Sequence, residues 1–185
     1  FIISFVNQYE MDINFKFTAG INVFNVVYES SIKNQIIVNS AGIDPTHVIN
    51  ILRELAYKMH FEKRSSVKIA DISQIAEDYK KNYRQKVSIR AFIDAALNAK
   101  ILIENENEYG FKDRTIIAYF VAQALNQKYN QAEDIKQNLK LLLKELCFSI
   151  NSDIVLFLAL ITNNPKFINV IIEGAKQHFE NQEEL

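Results

Sequence analysis

The chain has 185 residues, 49% of them hydrophobic, with a formal charge of −1, one cysteine, four glycines and two prolines. That is enough apolar material for one domain or two small packed ones, and it excludes a disordered polar chain, a low-complexity linker and a disulfide framework. The near-neutral balance provides no global field that would draw the whole chain onto nucleic acid.

The opening, Phe1 to Ala19, mixes aromatic and β-branched residues with Asp12 and Asn14, and its periodicity leaves strand and helix open. Residue 1 is phenylalanine and the first methionine is Met11, so the chain is expected to be cut from something longer. From Val23 to Val38 the positions Val23, Val26, Val27, Ile32, Ile36 and Ile37 recur near helical spacing, with Gly42 as the stop. Asp44-Pro45-Thr46 then supplies a capping carboxylate followed by a proline where a missing N–H costs nothing. The helix that starts there carries Val48, Ile49, Leu52, Leu55, Ala56 and Met59 on one face, with Arg53, Glu54 and Lys58 elsewhere.

Val67-Lys68-Ile69 is too short for a helix and alternates as a small strand does. Ile72, Ile75, Ala76, Tyr79 and Tyr83 mark a second amphipathic helix, and Ser88 caps a third with Ile89, Phe92, Ile93, Ala96 and Leu97 as its buried stripe. Ile101-Leu102-Ile103 and Tyr109-Gly110-Phe111 flank the polar Glu104 to Glu108 and predict two strands joined by a turn. Helix, short strand, helix, helix and β-hairpin in that order is the winged-helix arrangement.

Beyond it the pattern is helical. One stripe is Ile116, Ile117, Phe120, Val121, Ala124 and Leu125; the next is Ile135, Leu139, Leu142, Leu143 and Leu146, and the two are expected to pack as antiparallel neighbours. Cys147 follows that stripe and reads as an inert core thiol. Asn151-Ser152-Asp153 is expected to cap a helix over Ile154 to Ile161, an apolar run far short of the roughly 18 residues a membrane span needs. Asn164-Pro165 repeats the cap-and-proline signal before a last helix, Phe167 to Phe179, which frays into acidic Glu180 to Leu185. The expected fold is mainly α: an N-terminal segment over 1–43, a winged-helix unit with a small β-hairpin over 44–112, and an antiparallel helical domain over 113–185.

The residues exclude several chemistries. Gly20, Gly42, Gly110 and Gly174 are too far apart to build a phosphate-binding loop, and none is followed by the Lys-Ser/Thr pair that such a loop needs. His47, His60 and His178 are dispersed, so no metal site is expected, and no nucleophile stands beside a base. No catalytic residue is assigned, and the segment is not expected to be an enzyme by itself. Glu62 to Arg90 holds eight Lys or Arg against four Asp or Glu, and Lys80, Lys81, Arg84, Lys86 and Arg90 flank the turn into the third helix. That basic patch suits a solvated face, a protein-docking surface or phosphate contacts to DNA. Glu104, Glu106 and Glu108 on the hairpin would repel phosphates, which makes nucleic acid the unfavoured partner.

The stretch Tyr109-Gly110-Phe111-Lys112-Asp113-Arg114-Thr115-Ile116-Ile117-Ala118-Tyr119-Phe120-Val121-Ala122 resembles the junction between winged helix and following helix in STAND NTPases, especially bacterial NACHT-like defence proteins. Val27-Tyr28-Glu29, Leu55-Ala56-Tyr57 and Asp153 to Leu158 followed by Phe167-Ile168 are similar to the family's order of elements, so the likeness runs from about Val23 to the end. Such a segment lies downstream of the nucleotide-binding core. The resemblance implies a cytoplasmic regulatory segment with no cofactor of its own, ATP or ADP being held elsewhere in a longer protein. It implies as partners the core of the same protein and sister subunits in an activated oligomer, with rotation about the junction near Tyr109 to Arg114 as the switch. Related proteins commonly carry a phosphate-sensing histidine where this chain has Asp113, and a carboxylate cannot donate in its place. Lys112 or Arg114 is then the candidate for that contact, or Asp113 caps the helix while its neighbours are solvated. Two other readings stay open: a winged-helix DNA-binding regulator with a helical dimerisation tail, and a structural scaffold.

Overall fold

A computed structural model describes residues 17–129, 133–146, 150–162 and 167–174. The chain is mainly α. Helix α1 spans Phe17–Asn39, α2 Pro45–Phe61, α3 Ile69–Tyr83, α4 Ile89–Asn98, α5 Arg114–Lys128, α6 Glu133–Lys144 and α7 Ile150–Ile161. Residues 167–174 are also helical. Strands β1 (Val67–Lys68), β2 (Leu102–Asn105) and β3 (Glu108–Phe111) form an antiparallel sheet in the order β1-β3-β2. The readings placed on residues 1–16, on Cys147, on Asn164-Pro165 and on the chain beyond residue 174 lie outside the described residues.

The capping signals at Asp44 and Ser88 act where the sequence put them. Asp44 Oδ1 accepts the Thr46 N–H at 2.7 Å with Pro45 in the first turn of α2. The Ser88 hydroxyl accepts from the Ala91 N–H at 3.3 Å to start α4. At the far end of α4, Ile101 N donates to Ala96 O at 3.0 Å and Lys100 N to Leu97 O at 2.9 Å, with Lys100 at φ 57°. That is a Schellman stop whose left-handed residue is a lysine where glycine is favoured, so no glycine marks this helix end in the sequence. Gly42, at φ 81°, does lie in the left-handed region just beyond α1.

The hairpin turn is tighter than the five polar residues suggested. Asn105 pairs with Glu108, so only Glu106 and Asn107 remain in the loop, at φ 51° and 63°. Two consecutive positive φ values are what a two-residue type I′ connection requires, and it matches the right-handed twist of the strands. β1 stops after two residues because Ile69 turns into α3, leaving Ile69 52% exposed. Gly110 lets the chain before β1 lie close against β3, since a Cβ there would stand 3.0 Å from Ser65 O.

One core runs through the molecule, from Ile32 and Ile36 of α1 to Phe167 and Ile171. Its centre is α5. Every residue from Ala118 to Leu125 is buried, so this helix is enclosed on all sides instead of presenting the single stripe expected of it. It packs on α2 and α7 together, with α6 and β3 at its flanks. Gln123, inside that run, is satisfied: its Oε1 accepts from Arg53 Nε at 2.7 Å and its Nε2 donates to the Tyr119 hydroxyl at 2.5 Å. Arg53, read as an outward residue of α2, is therefore half-buried.

Three further differences have physical causes. α7 begins at Ile150, one residue before the expected cap, and Asn151 is buried with its Nδ2 donating to Glu145 O at 3.4 Å. The side chain that looked like a cap is spent on the preceding helix end. On α1 the buried face passes through Ser31, Ile32 and Ile36 and continues to Ser40 just past its end, while Val26 and Ile37 are 60% and 57% exposed. Apolar residues surround that helix, so spacing alone could not choose its inner side. Tyr83 is 52% exposed and covers Tyr79, ring centroids 4.6 Å apart, at the fraying end of α3.

Candidate functional site at the junction and its cavity

Residues 111–114 both end β3 and begin α5. Lys112 N donates to Ile101 O at 2.9 Å, which ties the strand end to the α4–β2 turn. Asp113, at φ −148° and ψ 165°, accepts the Ile116 N–H on Oδ1 at 2.9 Å. It is an N-cap, and its carboxylate also lies at the positive end of the helix dipole. Arg114 leans to the other side of the helix start, with Nε 2.7 Å from Asp153 Oδ2 of α7. Lys112 and Arg114 are both exposed, as expected. Phe111 is half-buried; its ring centroid lies 6.0 Å from that of the fully buried Phe120, which in turn lies 5.2 Å from the ring of Tyr119.

Beside the junction is a cavity of about 450 Å³, bounded by α1, the α4–β2 turn and the start of α5. Val27, Ile32 and Ile116 supply apolar wall. Lys100, Lys112 and Asp113 stand at the exposed rim. Ser31 is on the lining at 9% exposure, and its hydroxyl oxygen, closed off from solvent, has no hydrogen-bond partner among the described residues. Tyr28, also on the wall, is packed edge-on against Tyr119 at 5.4 Å. Burial, and secondarily the Asp113 carboxylate, pushes its phenol far above the usual range, so it stays neutral.

Of the three junction residues singled out in the sequence, the fold thus gathers Lys112 and Asp113 on the cavity and sends Arg114 to α7. Tyr28, Ser31 and Lys100 were not expected there. A serine among the apolar residues of α1 was the available signal, but only the fold shows which side of the helix it occupies. The assembly offers hydrogen bonds and positive charge and holds no nucleophile beside a base. Among the described residues no three His, Cys, Asp or Glu side chains converge to hold a metal ion, and no helix is long and apolar enough to cross a membrane.

Residues 65–121 match the family model described as Novel STAND NTPase 4. Over that stretch the chain is related to STAND NTPases. Neither the curated proteins nor the solved structures contain a match to the chain. The STAND-related stretch begins at the approach to β1, contains α3, α4 and the whole hairpin, and ends inside α5 at Val121. It therefore includes the complete junction and the rim residues Lys100, Lys112 and Asp113, and it leaves out the α1 wall of the cavity.

The basic residues also lie within the STAND-related stretch, and all five are exposed. Lys80 stands 3.3 Å from Glu77, Lys81 3.1 Å from Asp78 and Arg90 3.9 Å from Asp94. Among the described residues only Arg84 and Lys86 of the five lack a carboxylate at such a distance. On the hairpin, Glu108 accepts a short hydrogen bond from the Ser66 hydroxyl and Glu104 accepts one from Tyr109 at 3.2 Å. Both carboxylates help hold the hairpin in place, while Glu106 stands exposed at its tip.

Proposed function

We propose that this chain is the regulatory and interaction segment of a larger STAND-type NTPase, a cytoplasmic switch of the NACHT-like defence kind. In this reading α2 to β3 form a winged-helix unit, and the helices after Asp113 form the helical domain that follows it. The segment performs no catalysis. ATP or ADP is held by a nucleotide-binding core elsewhere in the same protein, and the segment packs on that core in the resting state. The observation that carries the reading is the coincidence of the family match over 65–121 with the strand–helix–helix–hairpin part of that unit and its junction.

The packing favours one form of movement. Because α5 is buried against α2 and α7 alike, turning 44–112 against 113–185 about Tyr109–Arg114 would open the best-enclosed part of the core. Eight buried positions in a row make that costly, since each large apolar side chain contributes roughly 1.5–3 kcal/mol by burial. We therefore assign the rotation to the segment as one body, moving against the nucleotide core and meeting sister subunits on activation.

The test is made on the product of the complete reading frame. Deleting residues 17–185 is expected to accelerate release of bound ADP, because the contacts that keep the core closed are lost. An unchanged release rate, or no bound nucleotide in the intact product, overturns the proposal. Titration of this chain with labelled duplex DNA at low salt is expected to show nothing tighter than the roughly 10⁻⁴–10⁻⁶ M of non-specific contact. Tighter binding that weakens in Lys80→Ala/Lys81→Ala/Arg84→Ala would favour a DNA-binding regulator instead.

A further inference from the structure

We infer that the cavity between α1 and the junction is a binding site for a small organic monoanion, a compact apolar body carrying one carboxylate-like or sulfonate-like group. The inference goes beyond the regulatory reading and does not rest on it. Its volume, about 450 Å³, lies in the range of small-molecule sites, which combine apolar walls with a few placed polar groups.

The Ser31 hydroxyl is the feature that packing does not explain. A serine in a helix ordinarily satisfies its hydroxyl on a nearby carbonyl or in water, and a buried one without a partner costs stability. Here the orphaned oxygen belongs to a residue on the cavity lining, although the oxygen itself is closed off from solvent. Gln35, one helical turn further along α1, is on the same wall and offers an amide.

Charge at the rim selects the sign and the number. Lys100 and Lys112 have no ion pair among the described residues, whereas Lys58, Lys80 and Lys81 of the hairpin-bearing unit do. Asp113 is the one carboxylate on the lining, and its Oδ1 is occupied by the α5 cap. Two ammonium groups against one carboxylate leave a single positive charge, and Tyr28 adds none because it stays neutral. That balance suits a monoanion and is poorly suited to a polyphosphate. The apolar body of such a ligand lies against Val27, Ile32 and Ile116, its hydrogen-bonding atom reaches the Gln35 amide, and its anionic group sits between the two lysines.

The probe is 1-anilinonaphthalene-8-sulfonate, with N-phenyl-1-naphthylamine as the neutral molecule of the same shape, each titrated into the purified chain by fluorescence. The sulfonate is expected to saturate one site per chain with a Kd of about 10–100 µM, the affinity usual for a ligand of that size. Lys100→Ala/Lys112→Ala should weaken the sulfonate by about tenfold and leave the neutral dye unchanged. Ser31→Leu or Gln35→Trp should block both dyes by filling the cavity, with circular dichroism confirming the fold. The inference is overturned if the lysine pair affects neither dye or both equally. It is overturned as well if binding survives in folded Ser31→Leu and Gln35→Trp. Should the two filling variants fail to fold, the dye comparison in the lysine variant decides alone, because both lysines are exposed.

Discussion

Truncating Phe111 to alanine probes how firmly the hairpin is fixed to the central helix. The fully buried Phe120 sets the scale: removing a core phenylalanine costs about 3–5 kcal/mol through lost transfer energy and the cavity left behind. Phe111 is only half-buried, with its ring 6.0 Å from Phe120, and the neighbouring backbone is held by Lys112 N donating to Ile101 O, a bond that the substitution leaves in place. About half of the full cost, roughly 2 kcal/mol, is the expected loss. For a chain of this length that corresponds to a fall in Tm of about 4–8 °C. Thermal and urea unfolding followed by far-ultraviolet circular dichroism on native, Phe111→Ala and Phe120→Ala chains measure it, with Phe120→Ala losing about twice as much. If Phe111→Ala unfolds like the native chain, or loses as much as Phe120→Ala, the half-buried anchor at the junction is wrongly described.

Two other substitutions test local parts of the account. Asp113→Ala removes the α5 cap and should lower stability by about 1 kcal/mol in urea unfolding, while Asp113→Asn, which keeps an acceptor, should lose a few tenths. Asp71 accepts from both Arg64 guanidinium nitrogens, at 2.9 and 2.8 Å, and the Arg64 hydrogen bonds hold its carboxyl well below the usual carboxylate range. A depressed folded pKa adds stability above the unfolded value near 3.9, and that stability is lost as pH falls towards the folded value. Asp71→Asn should therefore cost about 1 kcal/mol between pH 5 and 8, with the gap to the native chain closing below about pH 4.

The legible parts of the fold were those written in local chemistry. Asp44-Pro45 and Ser88 announce helix starts because a side-chain oxygen and a fixed φ act within three residues of themselves. The hairpin was legible in outline from its alternating apolar residues. Its register was not, because the turn depends on Glu106 and Asn107 adopting positive φ, which glutamate rarely signals. The enclosure of α5 was hidden for a different reason. Its polar residue Gln123 looks like a solvent-facing position until Arg53 and Tyr119 are brought to it across the core. The same limit applied to the site. Lys112 and Asp113 could be placed at a strand-to-helix step from sequence, but the cavity beside them is made by α1, some 80 residues earlier, and only tertiary packing brings Ser31 to it.

The central claim is that the junction serves the proposed nucleotide core as well as the packing of this chain, and the Lys112→Ala/Arg114→Ala variant separates the two. Both residues are exposed, and the Arg114–Asp153 pair is 60% and 35% exposed on its two sides, so its loss should cost under about 1 kcal/mol and shift the Tm of this chain by less than about 4 °C. In the product of the complete reading frame, the nucleotide retained through purification, measured by chromatography after denaturation, should differ severalfold between native and variant. An unchanged nucleotide content, or a variant that melts this chain, would contradict the account and leave residues 111–114 with a packing role alone.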